Sequence, residues 1–400
     1  MPTFPVSESL PPRHIDPRHA GQGVNLYGYV RGEFGLGESV RGFAKALARS
    51  GFPFALMDFE VSTPGRAEDH SLDSWVVDEP EHNSSLYFIN PDQMLRARAH
   101  FEMQRAAGRC VIGYWFWELE RFPDTWRDAF RFVDEVWVAS EFVRRSIAAI
   151  SDKPVRLMPM PLDYPTPAAV ERQRFGVPDD RFVFLFTFDY HSYPLRKNPE
   201  AVIAAFRTAF PRDRDDVCLL VKTLNADRLP DVHLRLLDAT GSDPRIIVSD
   251  GHLSRTDVSS LIACSDAYVS LHRSEGLGLG MAEAMALGKP VVATGYSGNM
   301  DFMTADNACL VDFRLVDLPP NAYPHWQDQR WAEPDIAHAA RQMRMLADDP
   351  AGARTLGAAA KARIRRQYDP SACASAVIER LRIVAAGRLA TACAQGTSKP

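Results

Sequence analysis

The sequence predicts an α/β protein made of two doubly wound, Rossmann-like domains that face a cleft. Short apolar runs alternate with amphipathic segments along the chain, which is the pattern of parallel sheets covered by helices. A length of 400 residues is too great for one ordinary core and suits two domains. Four prolines between Val155 and Pro167 interrupt the alternation and indicate a linker.

The first domain is predicted over residues 23–160, after an N-terminal tail at 1–22. It begins with the apolar strand "GVNLYGYV", the loop "RGEFGLGE" and a helix whose apolar face carries Val40, Phe43 and Leu47. The predicted strands that follow are "FPFALMDF", "SLYFIN", "RCVIGYWF" and "DEVWVAS".

The second domain is predicted over residues 161–370. Asn198 and Thr256 are expected to cap two of its helices. A last helix at 371–386 is expected to pack back on the first domain, before a tail at 387–400. The predicted strands of the second domain are "RFVFLFTF", "DVCLLVKT", "RIIVSD", "DAYVSL", "PVVAT" and "ACLVDF".

Composition and charge indicate a cytoplasmic protein. The formal net charge of −5 gives no indication of a nucleic-acid partner. The 6 cysteines are scattered without metal-like spacing, which favours reduced thiols. No apolar run approaches the ~20 residues that span a bilayer, and the N-terminus lacks the apolar core of a signal peptide. Residues 96–109 combine basic and apolar side chains. A peripheral membrane contact is one interpretation, and a solvated amphipathic helix is the one we favour.

The stretch "SEGLGLGMAEAMALGKPVV" at 274–292 is the strongest functional signal. Its glycines let backbone N–H groups approach a ligand, and the helix that follows presents its positive N-terminus to an anion. Glu275 and Glu283 flank the loop, so a diphosphate on the loop has one carboxylate near each end. A nucleoside diphosphate sugar fits this arrangement. A tight strand-to-helix turn with two solvated glutamates is the alternative.

The same stretch resembles the E-x7-E segment of retaining glycosyltransferases of family 4. These enzymes have the GT-B fold and include many bacterial mannosyltransferases. In addition, "GVNLYGYVRGEFGLGESVRGFAKAL" resembles their N-terminal glycine loop and helix, and "FDYHSYPLRKNPEAVIAAF" resembles the start of their domain for the sugar donor. The resemblance covers most of residues 23–385 and implies the GT-B architecture.

The resemblance also implies roles for the motif residues. Glu275 is expected to be a catalytic residue that contacts the hexose of the nucleotide sugar. Glu283 is expected to bind the ribose hydroxyl groups. The glycine loops of both domains are expected to contact the sugar or the diphosphate. The loop residues implied in this way are Gly35, Gly37, Gly276, Leu277, Gly278 and Leu279.

Positive charge is expected beside the diphosphate, because the leaving group gains negative charge. Lys197 matches the family's catalytic lysine, but Ser192 stands near the place of its arginine. Arg196 or Lys222 is expected to replace that arginine. A family histidine that contacts the sugar has no clear counterpart, and Glu118 or a neighbouring aromatic ring is expected to fill its place. Aromatic core packing is the alternative for this segment.

The implied activity is the retaining transfer of a hexose from a nucleotide diphosphate sugar, with GDP-mannose as the first candidate. The implied acceptor is a hydroxyl group of a glycan or lipid-linked glycan in polysaccharide biosynthesis. No cofactor and no metal ion are expected, because backbone amides, Lys197 and a helix N-terminus can neutralise the diphosphate. The carboxylates at Asp213–Asp215 are interpreted as a solvated turn.

Three alternatives remain open at this stage. A GT-B epimerase or phosphorylase would share the architecture, and so would a non-catalytic protein that binds nucleotide sugars. The third is a dinucleotide-binding domain, because Gly35 and Gly37 follow a strand and Asp58 ends the next one. Val40 stands at the third glycine position of that fingerprint, where it would crowd the contact between helix and strand.

Overall fold

The structure, a computed structural model, describes residues 16–19, 22–59, 65–164, 167 and 171–396. The chain forms two compact units. The first contains the described residues up to Phe116, Phe122–Asp163 and the described residues from Tyr368 onwards, and the second contains Trp117–Arg121 and Tyr164–Gln367. Most of the predicted N-terminal tail, part of the predicted linker and the last four residues of the predicted C-terminal tail lie outside the described residues.

The first unit contains a parallel sheet of 6 strands in the order β2-β1-β3-β4-β5-β6. The strands are β1 (Val24–Gly28), β2 (Phe54–Asp58), β3 (Ser84–Phe88), β4 (Cys110–Tyr114), β5 (Glu135–Val138) and β6 (Val155–Leu157). The helices of this part of the chain are α1 (Gly35–Arg49), α2 (Pro91–Arg96), α3 (Arg98–Ala106) and α4 (Glu141–Ala148). Residues 155–157, predicted as the start of a linker, therefore form the edge strand β6 instead.

Helix α1 packs against β1 with the face that the sequence predicts. Val40, Phe43 and Leu47 are all buried. Gly28 makes room for Val40, since a Cβ atom at Gly28 would lie 3.1 Å from the Cβ atom of Val40. The crowding expected at Val40 is therefore relieved by the strand, where the glycine stands opposite the valine.

The second unit contains another parallel sheet of 6 strands, in the order β12-β11-β10-β7-β8-β9. These strands are β7 (Phe182–Asp189), β8 (Val217–Leu224), β9 (Ile246–Asp250), β10 (Ala267–Ser270), β11 (Val291–Thr294) and β12 (Cys309–Val311). The helices are α5 (Pro194–Lys197), α6 (Pro199–Ala209), α7 (Pro230–Thr240), α8 (Arg255–Cys264), α9 (Leu279–Ala286), α10 (Ile336–Asp348) and α11 (Pro350–Gln367). The predicted fold class, with two Rossmann-like domains, is confirmed by these two sheets and their flanking helices.

Beyond the two sheets and their helices, the described residues also form a hairpin and a last helix. A separate antiparallel hairpin of β13 (Phe313–Asp317) and β14 (Arg330–Pro334) follows the second sheet and was not predicted. The last helix, α12 (Pro370–Gly396), extends beyond its predicted end and packs against α1 within the first unit. No helix in the described part of the chain is both long and apolar enough to cross a membrane.

Of the two predicted helix caps, Thr256 is wrong, and Asn198 stands at the N-cap position but makes no capping hydrogen bond. Ser254, rather than Thr256, caps α8, because its side chain accepts a hydrogen bond from the backbone N–H of Asp257. Asn198 precedes α6 in a left-handed conformation with φ 58°, and its side chain does not cap the helix. Its amide group instead donates to the carbonyl oxygen of Leu271 at 3.0 Å.

Candidate functional site

The centre of the candidate site is the carboxylate of Glu275, which follows β10. Lys197 Nζ lies 2.5 Å from its Oε1 atom, and Arg196 Nη1 lies 2.9 Å from its Oε2 atom. The side chains of Arg196 and Glu275 are only 6% and 10% exposed, whereas that of Lys197 is 21% exposed. Each oxygen of the carboxylate is therefore held by one cation, in a largely buried place.

The short helix α5 brings both cations to this place. Tyr193, which precedes Pro194, has φ 60°. This left-handed conformation is costly for a residue with a side chain. Its carbonyl oxygen accepts hydrogen bonds from the backbone N–H groups of Arg196 at 2.9 Å and Lys197 at 3.2 Å. The single turn that follows directs both side chains toward Glu275. Strained backbone of this kind is concentrated at functional sites.

Burial and the neighbouring charges together shift the pKa values of Glu275, Lys197 and Arg196. Burial alone would raise the pKa of Glu275, but the charges of Arg196 and Lys197 outweigh burial and lower the pKa to about 2. Burial lowers the pKa of Lys197, and the nearby Glu275 opposes that shift. The pKa of Arg196 is raised because the charges of Glu275 and Glu118 outweigh its burial. Glu275 is therefore ionised at neutral pH.

Arg196, rather than Lys222, lies at the carboxylate. Its Nη1 atom also donates to the carbonyl oxygen of Ser274 at 2.8 Å, and its Nη2 atom donates to that of Ser192 at 3.1 Å. Among the described residues, no group accepts a hydrogen bond from its buried Nε atom. An unpaired buried N–H group is costly, so this atom is a candidate contact for a ligand.

Lys222 has a different surrounding, at the ends of β8 and β9. Its Nζ atom donates to the carbonyl oxygens of Thr223 at 3.0 Å, Ser249 at 3.4 Å and Gly251. Burial lowers the pKa of this amine. These contacts hold the ends of two strands together.

The glycine loop runs from Glu275 to the start of α9 and is buried. Gly276 and Leu277 are buried, and Gly278 has φ 92°, a left-handed conformation that favours glycine. Gly298 packs directly on this loop, since a Cβ atom there would lie 2.1 Å from the carbonyl oxygen of Gly276. The backbone N–H of Gly298 donates to the carbonyl oxygen of Glu275 at 2.9 Å. The loop after β11, which carries Gly295 and Gly298, is thus in backbone contact with the glycine loop beside the cluster.

Glu283 lies about one turn into α9 and is 6% exposed. Arg255 Nη2 lies 2.7 Å from its Oε1 atom, and Ser259 Oγ donates to the same atom at 3.1 Å. The guanidinium carbon of Arg255 also lies 4.8 Å from the ring centroid of Tyr164. Sequence reasoning identified Glu283 but missed Arg255, because a basic residue at the start of a helix carries no distinctive signal.

Glu118 belongs to the segment Trp117–Arg121, which is part of the second unit. Its Oε2 atom accepts a hydrogen bond from the hydroxyl group of Tyr323 at 2.5 Å. Its carbonyl oxygen accepts a hydrogen bond from Ser274 Oγ. Arg196 is near enough for the charge of Glu118 to raise its pKa. The structure therefore brings Glu118 to the cluster around Glu275.

The hairpin of β13 and β14 is tied to the same cluster. Arg273, two residues before Glu275, forms a bidentate ion pair with Glu333 on β14. Its Nε atom lies 2.7 Å from Oε2, and its Nη2 atom lies 3.1 Å from Oε1. A third nitrogen of Arg273 donates to the carbonyl oxygen of Leu195 on α5 at 2.6 Å. One guanidinium group therefore connects the glycine loop, α5 and the hairpin.

The glycines predicted in the first unit lie in a helix, not in a loop. Gly35 is the first residue of α1 and Gly37 belongs to its first turn. A Cβ atom at Gly37 would lie 2.0 Å from the carbonyl oxygen of Gly32, so only glycine fits there. Asp58, the residue that suggested a dinucleotide site, accepts a hydrogen bond from the backbone N–H of Val30 at 2.9 Å and pairs with Arg31 at 2.7 Å. Its carboxylate is therefore used within the fold.

Within the ranges that the structure describes, no group of three or more His, Cys, Asp or Glu side chains could hold a metal ion. Asp213 and Asp215 are exposed, as expected for a solvated turn. Asp189 accepts hydrogen bonds from the backbone N–H of His191 at 2.9 Å and from Asn225 Nδ2 at 2.8 Å.

Comparison with known proteins gives a sequence family for part of the chain. Residues 169–315 match the model of the family described as glycosyl transferases group 1. This segment contains the whole second sheet, the cluster around Glu275 and helix α9. No curated protein is similar enough in sequence to count as a match.

Solved structures share the fold of the whole chain at low sequence identity. Sucrose-phosphate synthase from Thermosynechococcus elongatus is 17% identical with a TM-score of 0.68, over 92% of this chain and 100% of that one. Anabaena HepE, solved in complex with UDP and glucose, is 15% identical with a TM-score of 0.64, over 90% and 99%. A glycosyltransferase from Rickettsia africae is 14% identical with a TM-score of 0.62, over 90% and 98%. The chain thus has the GT-B fold, and its second unit carries the group 1 sequence pattern.

Proposed function

We propose that the protein is a retaining glycosyltransferase. It transfers a hexose from a nucleotide diphosphate sugar to a hydroxyl group of a glycan or lipid-linked glycan in polysaccharide biosynthesis. The observation that carries this proposal is the cluster of Glu275, Arg196 and Lys197 at the start of a glycine loop, inside the segment that matches the group 1 family. A carboxylate beside two cations can accept hydrogen bonds from sugar hydroxyl groups while the cations pair with phosphate oxygens.

The two cations stabilise the leaving group. Negative charge grows on the nucleoside diphosphate as its bond to the sugar breaks, and preorganised positive groups stabilise that charge. Lys197 supplies an ammonium group, Arg196 supplies a guanidinium group with an unpaired Nε atom, and α9 supplies the positive end of a helix. No divalent cation is required by this arrangement.

The proposed reaction proceeds on one face of the sugar. The bond between the anomeric carbon and the phosphate oxygen breaks, and its electron pair stays on the phosphate. The acceptor oxygen forms a bond to the anomeric carbon on the same face, and its proton passes to the departing phosphate oxygen. Glu275 is ionised and stabilises the positive charge that develops at the anomeric carbon. Glu283 binds the ribose, and Glu118 binds a hydroxyl group of the transferred sugar.

A UDP-sugar is the sugar donor that we propose to test first. The GDP-mannose expected from the sequence has no support among the similar structures. Anabaena HepE was solved with UDP and glucose and also with UDP-glucose. Because these structures share the fold of this chain at low sequence identity, direct binding measurements are needed to identify the base and the hexose of its nucleotide sugar.

The test is a panel of nucleotide sugars, first in thermal unfolding and then in a transfer assay. A ligand that binds only the folded chain raises the unfolding midpoint with its concentration. The expected result is one stabilising nucleotide sugar that is consumed only when a glycan acceptor is present. A new nucleotide sugar formed without acceptor would indicate an epimerase, and phosphate-dependent turnover would indicate a phosphorylase. Binding without turnover would indicate a binding protein.

We propose a cytoplasmic location, with lipid-linked acceptors reached at the inner face of the membrane. Helix α3 exposes basic side chains beside Met103, which is 65% exposed. Basic and apolar groups on one helix favour an anionic lipid surface. Co-sedimentation with anionic but not with neutral vesicles is the expected result. No co-sedimentation with either would leave α3 as a solvated helix.

A further inference from the structure

Tyr323 fixes the position of Glu118 at the candidate site. The Tyr323 hydroxyl group donates to Glu118 Oε2 at 2.5 Å, and Ser274 Oγ donates to the Glu118 carbonyl oxygen. No residue in the described ranges donates a hydrogen bond to the other carboxylate oxygen, Oε1. One carboxylate oxygen and the backbone of Glu118 are therefore held, and Oε1 is left for another partner.

Tyr323 is itself held firmly in the loop between β13 and β14. It is 7% exposed, and its ring centroid lies 5.7 Å from that of Trp117 and 4.6 Å from that of Tyr193. Gln329, in the same loop, donates to the carbonyl oxygen of Arg121 at 2.6 Å and accepts from its backbone N–H at 3.1 Å. The loop and the segment that carries Glu118 are thus joined at two places. The loop also lies beyond residue 315, where the family match ends.

The ring of Tyr323 contacts the cation of the cluster as well. The guanidinium carbon of Arg196 lies 5.7 Å from the ring centroid, which is within the range of a cation–π contact. Tyr323 therefore stands between Glu118 and Arg196. While its hydroxyl group holds Glu118, the guanidinium group of Arg196 pairs with Glu275 at 2.9 Å.

We propose that Tyr323 is a positioning residue for glycosyl transfer, acting through Glu118. By holding Oε2 it directs Oε1 to a hydroxyl group of the transferred sugar and keeps the Glu118 carboxylate from competing with Glu275 for Arg196. This inference rests on the proposed function. Small errors in the orientation of a reacting sugar cost more in rate than in affinity, because the diphosphate and ribose contacts supply most of the binding.

The test compares Tyr323→Phe with Tyr190→Phe. Tyr190 is a matched control, because it is also buried and its hydroxyl group bonds to His233 Nδ1 at 2.8 Å. Both variants should lose a similar part of their thermal stability. Only Tyr323→Phe should lower kcat, by about tenfold to a hundredfold, the usual range for a hydrogen bond to a charged group. The dissociation constant of the nucleotide sugar should change less than about twofold.

A second pair of variants tests whether Tyr323 acts through Glu118. In a Glu118→Gln background, Tyr323→Phe should lower kcat by no more than about twofold, because coupled residues are not additive. Three results would overturn the inference: a wild-type kcat in Tyr323→Phe, an equal loss of kcat and affinity, or an undiminished loss in the Glu118→Gln background. If the wild-type protein transfers no sugar, the proposed function itself fails. If it is active and Tyr323→Phe retains full kcat, only the inference fails.

Discussion

At the scale of the residue, a substitution of Glu275 is expected to affect catalysis without affecting the binding of the nucleotide sugar. The carboxylate of Glu275 is held ionised between two cations. In the proposed reaction, positive charge develops at the anomeric carbon only as the bond breaks. Glu275→Gln keeps the shape but removes the charge, so we expect kcat to fall by roughly a hundredfold or more with the affinity for the nucleotide sugar nearly unchanged. Steady-state kinetics and calorimetric titration measure the two quantities. A variant that loses affinity and keeps kcat would show that Glu275 has been assigned the wrong role.

Glu283 should behave differently, because the ribose contact that we propose for it is made in the ground state and the transition state alike. We expect Glu283→Ala to raise the KM of the nucleotide sugar by about tenfold to a hundredfold, with little change in kcat. Asp257→Ala is a suitable control. Asp257 lies on α8, the helix that also carries Arg255, and its Oδ1 atom lies 2.5 Å from Arg174 Nη2. The control should leave the KM unchanged. A selective fall in kcat for Glu283→Ala would contradict the ribose assignment.

Glu275 also makes folding dependent on pH. Burial raises its pKa, but the nearby cations lower it from 4.5 to about 2. A carboxyl group with a lower pKa in the folded chain stabilises the fold above its unfolded pKa, and that contribution is lost as the pH falls through the folded pKa. Between pH 4.5 and about 2, the free energy of unfolding should therefore fall more steeply for the wild type than for Glu275→Gln. Denaturant unfolding at several pH values measures this, and parallel curves would be evidence against it.

At the scale of the element, the loop after β11, which carries Gly295 and Gly298, contacts the glycine loop next to Glu275. A Cβ atom at Gly298 would lie 2.1 Å from a backbone oxygen of the other loop, whereas one at Gly295 would have ordinary contacts from 3.4 Å. We expect Gly298→Ala to push the loops apart and lower both the affinity for the nucleotide sugar and kcat, at a cost of about 1–3 kcal/mol in stability. Gly295→Ala should be close to the wild type in both assays. Equal activity of the two variants would show that the loop contact does not matter.

Apart from the edge strand β6, whose residues the sequence predicts as part of a linker, the strands of both sheets could be predicted, because strands buried on both faces are continuous apolar runs. The hairpin could not, since Phe313 and Leu315 on β13 are 38% and 36% exposed and tertiary contacts such as that of Arg273 with Glu333 set its place. The start of α1 was also missed, because glycines usually indicate a loop. Here Gly37 is required by a close backbone approach inside the first turn of a helix.

The same distinction applies to the candidate site. Glu275 and Glu283 could be proposed from sequence, because they flank a glycine loop, and Lys197 because its segment resembles the start of the family's domain for the sugar donor. Tyr323 could not, since 205 residues separate it from Glu118 and no local pattern predicts their contact. The contact of Arg196 with Glu275 also needed the structure, because the sequence does not show which side chain reaches the carboxylate.

At the scale of the whole molecule, the source of positive charge decides whether turnover requires a metal ion. Lys197, Arg196 and the N-terminus of α9 lie around the proposed diphosphate site, and the described ranges contain no cluster of His, Cys, Asp or Glu that could hold a metal ion. We therefore expect transfer to continue in EDTA at close to the full rate, because in the proposed mechanism these positive groups stabilise the leaving group. The control is EDTA that has been saturated with calcium, because any inhibition by it is not due to removal of a metal ion from the protein. Activity that is lost in EDTA and restored by magnesium or manganese would contradict this, and would require a metal ion bound by the diphosphate itself.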